Sequence, residues 1–212
     1  RMRARTQLDA PFSFAVWGNV AGNHVVLDEI IDAVNAVGPD FAIFSGDLTA
    51  RGQRDEMQKM AARMNSQLDM PWFATIGDRD VSGSVRGSYA TLLGASNFAF
   101  DVGPLRVIVL DSGDRGLGES TQKRLDQWLI GEPLAWPGGE ITQSRIVITH
   151  VSPFDPSGTR GLGFRDRNEG ATVMAKLLRS GVSHLITSHL STYAEKNLKG
   201  LKMIFSGGGG AD

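Results

Sequence analysis

Short apolar runs alternate with longer amphipathic stretches over the first third of the chain. The runs at 12–17, 41–45 and 71–76 have the length and composition of buried strands. Between them, Val25–Val37 and Gln53–Leu68 place apolar residues three or four positions apart, as one face of a helix does. The pattern therefore predicts alternating strands and helices, which is typical of a layered α/β domain.

The rest of the chain is richer in strands. Segments 97–103 and 105–112 are typical of an antiparallel pair around Gly103 and Pro104, and 191–208 of a closing hairpin that turns near Asn197–Gly200. Further strands are predicted at 144–150 and 183–189, and helices at 120–131, which Ser120 would cap, and Asn168–Ser180. The hairpins predict a mixed sheet or two packed sheets. Residues 1–11 are mostly polar and are expected to form a lead-in. Because the chain shows no repeat or long linker, we expect a single domain at 12–212.

Composition and charge narrow the classes of partner. With 41 % hydrophobic and 21 % charged residues, the chain is typical of a globular domain. Its formal net charge of -1 gives no basic excess for gripping phosphate backbones, so a nucleic-acid partner is not expected. No apolar run approaches the ~18 residues of a membrane span, and the lack of cysteine excludes disulfides and thiolate ligands. The compartment and any protein partner are left open.

Polar residues with metal-binding chemistry follow four of the predicted strands. Asp47 and Asp78 stand in Gly-Asp turns after the second and third strands, and His150 and His189 follow two later strands. Each alone has an ordinary explanation as a turn residue, a helix cap or a hydrogen-bonded histidine. If neighbouring strands are parallel, however, the four converge at one sheet edge. Two carboxylates and two imidazoles suit zinc, manganese or iron, whereas calcium prefers oxygen donors.

The order of these elements resembles that of a known superfamily. The series "GNVAGNH", "GDLTARG", "GDRD", "TH" and "SHLS" is similar to D-x-H, GDxxxxG, GNH[DE], H and GHxH of the calcineurin-like metallophosphoesterases. The resemblance extends from about Phe12 to the glycine run at 207–210. It implies a layered α/β/β/α sandwich with mixed sheets. It also implies metal-dependent hydrolysis of small phosphomonoesters or phosphodiesters, in which two metal ions clamp the phosphate and a bridging hydroxide attacks phosphorus.

The chain departs from the family mainly at one of the two metal sites. Asn19 stands in place of the first-motif aspartate, Ala21 in place of its partner histidine, and Ser191 in place of the last histidine. The other site keeps a full donor set, in which Asp78 replaces the family's asparagine. That set is Asp47, Asp78, His150 and His189. The resemblance thus implies one divalent cation (Mn, Fe or Zn), or none, and a largely lost second site.

Arg79 takes the place of the family's proton-donating histidine. Arginine stays protonated near neutral pH, so it cannot act as a general acid. Two roles are open for Arg79. It could bind a phosphate or carboxylate group of a ligand, or it could form a surface ion pair with Asp80. Asn23 and Arg51 are further candidates for anion binding, although an Asn before "HVVLDEI" is more typical of a helix N-cap.

Two functions follow as alternatives. One is a phosphoesterase working with a single metal ion; the other is a catalytically impaired relative that serves as a ligand-binding or scaffold domain. The loss of the second cation, the first-motif carboxylate and the proton donor favours weak or absent turnover. A third arrangement has a weak second metal on the side-chain oxygens of Asn19 and Ser191. The natural substrate is left open.

Overall fold

The computed structural model describes residues 12–130, 144–158 and 161–211. The strands found there are β1 (Phe14–Trp17), β2 (Phe41–Ser45), β3 (Trp72–Thr75), β4 (Phe98–Val102), β5 (Leu105–Leu110), β6 (Ser144–Thr149), β7 (His184–Thr187), β8 (Tyr193–Leu198) and β9 (Leu201–Ser206). The helices are α1 (His24–Val37), α2 (Arg54–Gln67), α3 (Tyr89–Leu93), α4 (Gly118–Ile130) and α5 (Arg167–Arg179). The lead-in at 1–11 lies outside the described residues, and the single-domain assignment stays a prediction.

The first sheet consists of β1, β2 and β3, and both of its strand pairs are parallel. Helices α1 and α2 make the crossovers that parallel pairing requires. Asn23 caps α1 by accepting the N–H of Val26, and Gly38 ends it at a φ of 65°, which glycine adopts without a steric penalty. This topology brings the ends of the three strands to one edge of the sheet.

The second sheet has six strands in the order β4-β5-β6-β7-β9-β8. Strands β5, β6, β7 and β9 are parallel, whereas β4 and β8 pair antiparallel at the two edges. The predicted antiparallel pair and closing hairpin are therefore confirmed. Strand β9 lies between β7 and β8, so the last of the described strands is internal to the sheet.

Three apolar clusters arrange these elements in four layers. Along β2, Phe41 and Ile43 face a core between the two sheets, while Ala42 and Phe44 face the helices, as the alternation of side chains along a strand requires. Helices α1, α2 and α3 cover the outer face of the first sheet, and α4 and α5 cover that of the second. The α/β/β/α sandwich implied by the resemblance is confirmed.

Two local predictions differ from the structure. Helix α4 begins at Gly118, so Ser120 lies inside its first turn and does not cap it. Helix α3 escaped prediction because its five residues are too few to show a helical period.

Candidate metal centre

The Gly-Asp turn after β2 holds Asp47 in an uncommon backbone conformation. Gly46 has a φ of 96° and Asp47 a φ of 60°, the left-handed region that aspartate tolerates better than most residues. A Cβ on Gly46 would lie 2.7 Å from His150 Nδ1, and one on Gly77 would overlap the Asp47 carboxylate. Glycine at 46 and 77 therefore allows the turns after β2 and β3 to approach each other and the His150 ring.

Asp80 joins these two turns. Its buried carboxylate accepts the backbone N–H groups of Asp47, Leu48, Thr49 and Gly77 and the Thr49 hydroxyl, at 2.8–3.4 Å. Burial and the neighbouring Asp47 raise the pKa of Asp80 to about 6, although the donors act in the opposite direction. The expected alternative of a surface ion pair between Arg79 and Asp80 is wrong, because Asp80 points into the protein.

The four predicted donors meet at the edge where β2, β3, β6 and β7 end. One ligand atom from each of Asp47, Asp78, His150 and His189 lies within 4.8 Å of all the others. Asp78 Oδ1 is 3.0 Å from both His150 Nε2 and His189 Nδ1. His150 Nε2 is also 3.2 Å from Asp47 Oδ2 and 3.4 Å from His189 Nδ1. Within the described part of the chain, this is the one group of three or more such donors.

The hydrogen bonds of His150 show which of its two ring nitrogens can bind a metal ion. The nitrogen that faces the cluster, Nε2, is the unprotonated one in the neutral ring. Its Nδ1 lies 2.9 Å from the carbonyl oxygen of Ser45, which can only accept, so Nδ1 carries a proton. The Ser188 hydroxyl donates to the same carbonyl at 2.6 Å. In the neutral ring, Nε2 then directs a lone pair at two carboxylates, an arrangement that calls for a cation between them. The donor set thus fits a divalent metal ion.

When no metal is bound, a proton on His150 Nε2 takes the place of the cation between the carboxylates. Burial acts to lower the pKa of His150, but Asp47 and Asp78 outweigh it and raise the pKa to about 10. Burial likewise acts to raise the pKa of Asp78, but hydrogen bonds from His150 and His189 hold it well below its usual range. The cation-free cluster is therefore an imidazolium between two carboxylates.

This protonation predicts that the stability of the protein responds differently to pH with and without metal. A histidine whose pKa rises on folding contributes stability that is complete below its unfolded pKa and is lost as pH rises through the folded value. For protein treated with EDTA, we expect the free energy of unfolding to fall between about pH 6.5 and pH 10, by up to about 1.4 kcal/mol per pH unit. Excess Mn²⁺ should reverse or abolish that fall, because the metal displaces the proton. Urea unfolding at several pH values tests this, and identical pH profiles with and without metal would contradict it.

The positions that the resemblance assigns to a second metal site lie next to this cluster. The buried Asn19 donates through Nδ2 to Ser191 Oγ at 3.0 Å and to the carbonyl oxygen of Gly207 at 3.1 Å. The backbone N–H of Ala21 donates to the carbonyl oxygen of Asp47 at 2.8 Å. Asn19 and Ser191 thus contact each other directly.

Arg79 contacts Asp47. Its backbone N–H donates to Asp47 Oδ1 at 2.9 Å, and its Nε lies 3.6 Å from Asp47 Oδ2. The other two anion-binding candidates have partners of their own. Asn23 caps α1 and donates to the carbonyl oxygen of Gly210, while Arg51, whose side chain is 79 % exposed, pairs with Glu56 at 3.1 Å.

Sequence reasoning missed three residues that support the donors. Asp80 was considered only as a surface partner, and Ser45 and Ser188 were not considered, although both orient His150. The position of Ser188 next to a candidate ligand was the available signal. The contact of Ser45 through its backbone carbonyl leaves no signal in the side chain.

A known protein resembles part of the chain in amino-acid sequence. A probable cyclic nucleotide phosphodiesterase from Rhodococcus erythropolis is 34 % identical over 138 residues, which cover 60 % of this chain and 44 % of that protein. The chain thus spans less than half the length of that relative. No protein-family model matches the chain.

Solved structures resemble the chain over most of its length. A purple acid phosphatase from yellow lupin (Lupinus luteus) seeds matches with a TM-score of 0.71 and 13 % identity, over 94 % of this chain and 44 % of that one. A dimetal phosphatase from Danio rerio matches at 0.66 and 12 %, over 92 % and 86 %. A Plasmodium protein described as the anchor in the inner membrane complex matches at 0.66 and 13 %, over 93 % and 72 %.

In the described part of this chain, no helix is long and apolar enough to cross a membrane.

These likenesses agree with the order of motifs along the sequence. The chain has the metallophosphoesterase fold, and its resemblance to the calcineurin-like metallophosphoesterase superfamily is confirmed.

Proposed function

We propose that the chain is a metal-dependent phosphoesterase that works with one divalent cation, held by Asp47, Asp78, His150 and His189. The observation that carries this proposal is the convergence of their four ligand atoms within 4.8 Å. The fixed protonation of His150 Nδ1 supports it, since the opposite nitrogen is then left free to bind metal. The mixed nitrogen and oxygen donors favour Mn, Fe or Zn.

The cation, when bound, polarises a phosphoryl oxygen and lowers the pKa of a coordinated water. The residues of the chain then have separate tasks. Asp47 and Asp78 balance the charge of the cation, and Asp80 holds the turn that presents Asp47. Arg79 lies beside Asp47 and binds phosphate oxygens through its guanidinium.

The oxygen of the leaving group needs a proton as it departs, and we assign no protein group to supply that proton. Arg79 cannot release a proton near neutral pH, so water must supply it. We therefore propose turnover limited by the leaving group, fast for acidic alcohols such as nitrophenol and slow for alkyl alcohols. A general acid typically contributes about 10²–10⁴-fold in rate, which is the deficit expected for alkyl esters.

We propose further that the second site of the family is lost in this chain. Asn19 Nδ2 donates to Ser191 Oγ, so the hydroxyl oxygen at this position already accepts a hydrogen bond. Ala21 offers no side-chain donor. One cation, and not two, is the expected stoichiometry.

The known proteins support phosphate-ester chemistry on a small phosphorylated ligand. The Rhodococcus relative is named a probable cyclic nucleotide phosphodiesterase, and two of the structural neighbours are phosphatases. A phosphorylated small molecule is accordingly the proposed substrate.

Elemental analysis of the purified protein, combined with hydrolysis of chromogenic phosphomonoesters and phosphodiesters in added Mn²⁺, tests the proposal. We expect about one equivalent of metal, as four donors around one centre imply, together with measurable turnover that EDTA removes. Two stoichiometric metals would contradict the single site, and turnover that survives EDTA would contradict metal dependence.

The second candidate is a ligand-binding or scaffold domain. The absence of a proton donor at Arg79 favours it, and the Plasmodium neighbour described as an anchor has the same fold. One equivalent of tightly held metal without turnover of any chromogenic ester would support this candidate over the first.

A further inference from the structure

We infer that the metal centre selects singly charged phosphodiesters over doubly charged phosphomonoesters, and that Arg79 supplies the one surplus positive charge that a diester neutralises. The inference rests on the proposed function, because it takes one divalent cation to be bound by the four donors. The charges that the structure collects at this edge of the two sheets support it.

The four donors and one bound divalent cation have no net charge when they are counted together. Asp47 and Asp78 bring two negative charges, and His150 and His189 bind a cation as neutral imidazoles. A divalent ion therefore cancels the carboxylates and leaves no surplus. A substrate phosphate that approaches the cation finds no net attraction from this set beyond direct coordination.

The positions beside the donors add no charge. Asn19, Ala21 and Ser191 are all uncharged, and Asn19 and Ser191 are joined by a hydrogen bond of 3.0 Å. These three positions therefore bring no positive charge to the side of the cluster near β1 and the turn after β7.

Arg79 supplies the remaining positive charge. Its backbone N–H donates to Asp47 Oδ1 at 2.9 Å, which fixes the start of the side chain beside the donors. Its Nε lies 3.6 Å from Asp47 Oδ2, while 39 % of the side chain stays exposed. Among the ion pairs formed by the described residues, this is the one that joins a Lys or Arg to a donor carboxylate. The guanidinium is therefore held at the cluster while part of the Arg79 side chain reaches solvent.

The four donors, their cation and Arg79 together then carry one net positive charge. A phosphodiester, with one negative charge, neutralises it. A phosphomonoester above its second pKa, near 6, carries about two, so its complex leaves a negative charge next to Asp47 and Asp78. The buried Asp80 behind Asp47 adds to that repulsion wherever it is ionised. The balance of charges thus favours the diester.

Direct binding measures this selectivity without any turnover. Protein loaded with one equivalent of Mn²⁺ is titrated by calorimetry at pH 8 with dimethyl phosphate and, separately, with methyl phosphate. We expect dimethyl phosphate to bind roughly tenfold more tightly or better, the effect of one uncompensated charge in a partly solvated site.

Two pairs of variants isolate the role of charge. Arg79→Gln should weaken dimethyl phosphate binding about tenfold or more, since it removes a charge-assisted contact, while Arg79→Lys should keep the preference for the diester. Ser191→Lys adds a positive charge beside Asn19 and should improve methyl phosphate binding relative to dimethyl phosphate. The uncharged Ser191→Gln should leave the ratio of the two affinities unchanged.

The outcomes separate this inference from the proposed function. Equal or tighter binding of methyl phosphate by the wild-type protein, with metal bound, overturns the selectivity and leaves the single-metal proposal standing. If Arg79→Gln binds dimethyl phosphate as tightly as the wild type, the role given to Arg79 is overturned and the single-metal proposal again stands. Protein that retains no metal in elemental analysis overturns both.

Discussion

Replacing His189 with alanine will remove nearly all of the bound divalent metal. The Nδ1 atom of His189 lies 3.0 Å from Asp78 Oδ1 and 3.4 Å from His150 Nε2, so the ring forms one side of the donor set. Loss of a residue that only supports a ligand typically costs 10–100-fold in metal affinity. Loss of a ligand itself should therefore cost more than about a hundredfold, enough to release the metal on dialysis.

The matched control is His24→Ala. His24 is exposed at the first position of α1 and belongs to no group of clustered donors among the described residues. Elemental analysis after dialysis should find metal in His24→Ala at the wild-type level and almost none in His189→Ala. Circular dichroism would check that both variants are folded. Stoichiometric metal in a folded His189→Ala protein would contradict the assigned donor set.

Replacing Asp80 with alanine should cause the largest loss of stability among the residues around the site. Its carboxylate is the acceptor for four backbone N–H groups and one hydroxyl, all in the turns after β2 and β3. A buried donor left without a partner costs about 1–3 kcal/mol, and water entering the space recovers part of this. We expect the free energy of unfolding to fall by about 4 kcal/mol, with weaker metal binding because Asp47 loses its support.

Asp114→Ala is the control for removing an aspartate. The Asp114 side chain is 74 % exposed and pairs with Arg86 at 2.8 Å, so its loss should cost no more than about 1 kcal/mol. Urea unfolding of the two variants in the presence of EDTA separates stability from metal binding. Similar losses in both variants would show that Asp80 does not brace the turns.

Much of the secondary structure is determined by short windows of the sequence. The apolar run at 41–45 coincides with β2, and the apolar spacing in Val25–Val37 and Gln53–Leu68 predicts α1 and α2 to within one residue at each end. Burial on one or both faces imposes these periods directly, so they can be recognised without knowledge of the rest of the chain.

The identities of the four donors were also accessible from sequence, because each follows an apolar strand. The motif order added the expectation that they meet. Parallel pairing of β2 with β3 and of β6 with β7 then places them at the edges of the two packed sheets. The site residues were thus predictable to the extent that chemistry and strand ends reveal them.

The supporting contacts were decided by the tertiary structure alone. The Ser188 hydroxyl reaches the carbonyl oxygen of Ser45, 143 positions away, and Asn19 reaches Ser191 across 172. Neither pair has a local signal, since a hydroxyl or an amide is compatible with many partners until the sheets pack. The sequence left open a pairing of Arg79 with Asp80, yet one lies beside Asp47 and the other is buried beneath it.

The sequence by itself therefore determined the α/β periodicity and the four candidate metal ligands, which depend on local patterns and on residue chemistry. Only the tertiary structure decided the order of the strands, the proton on His150 Nδ1 and the partners of Arg79 and Asp80. Those features depend on which groups remain unsatisfied once distant segments meet, and burial makes each such group find a partner.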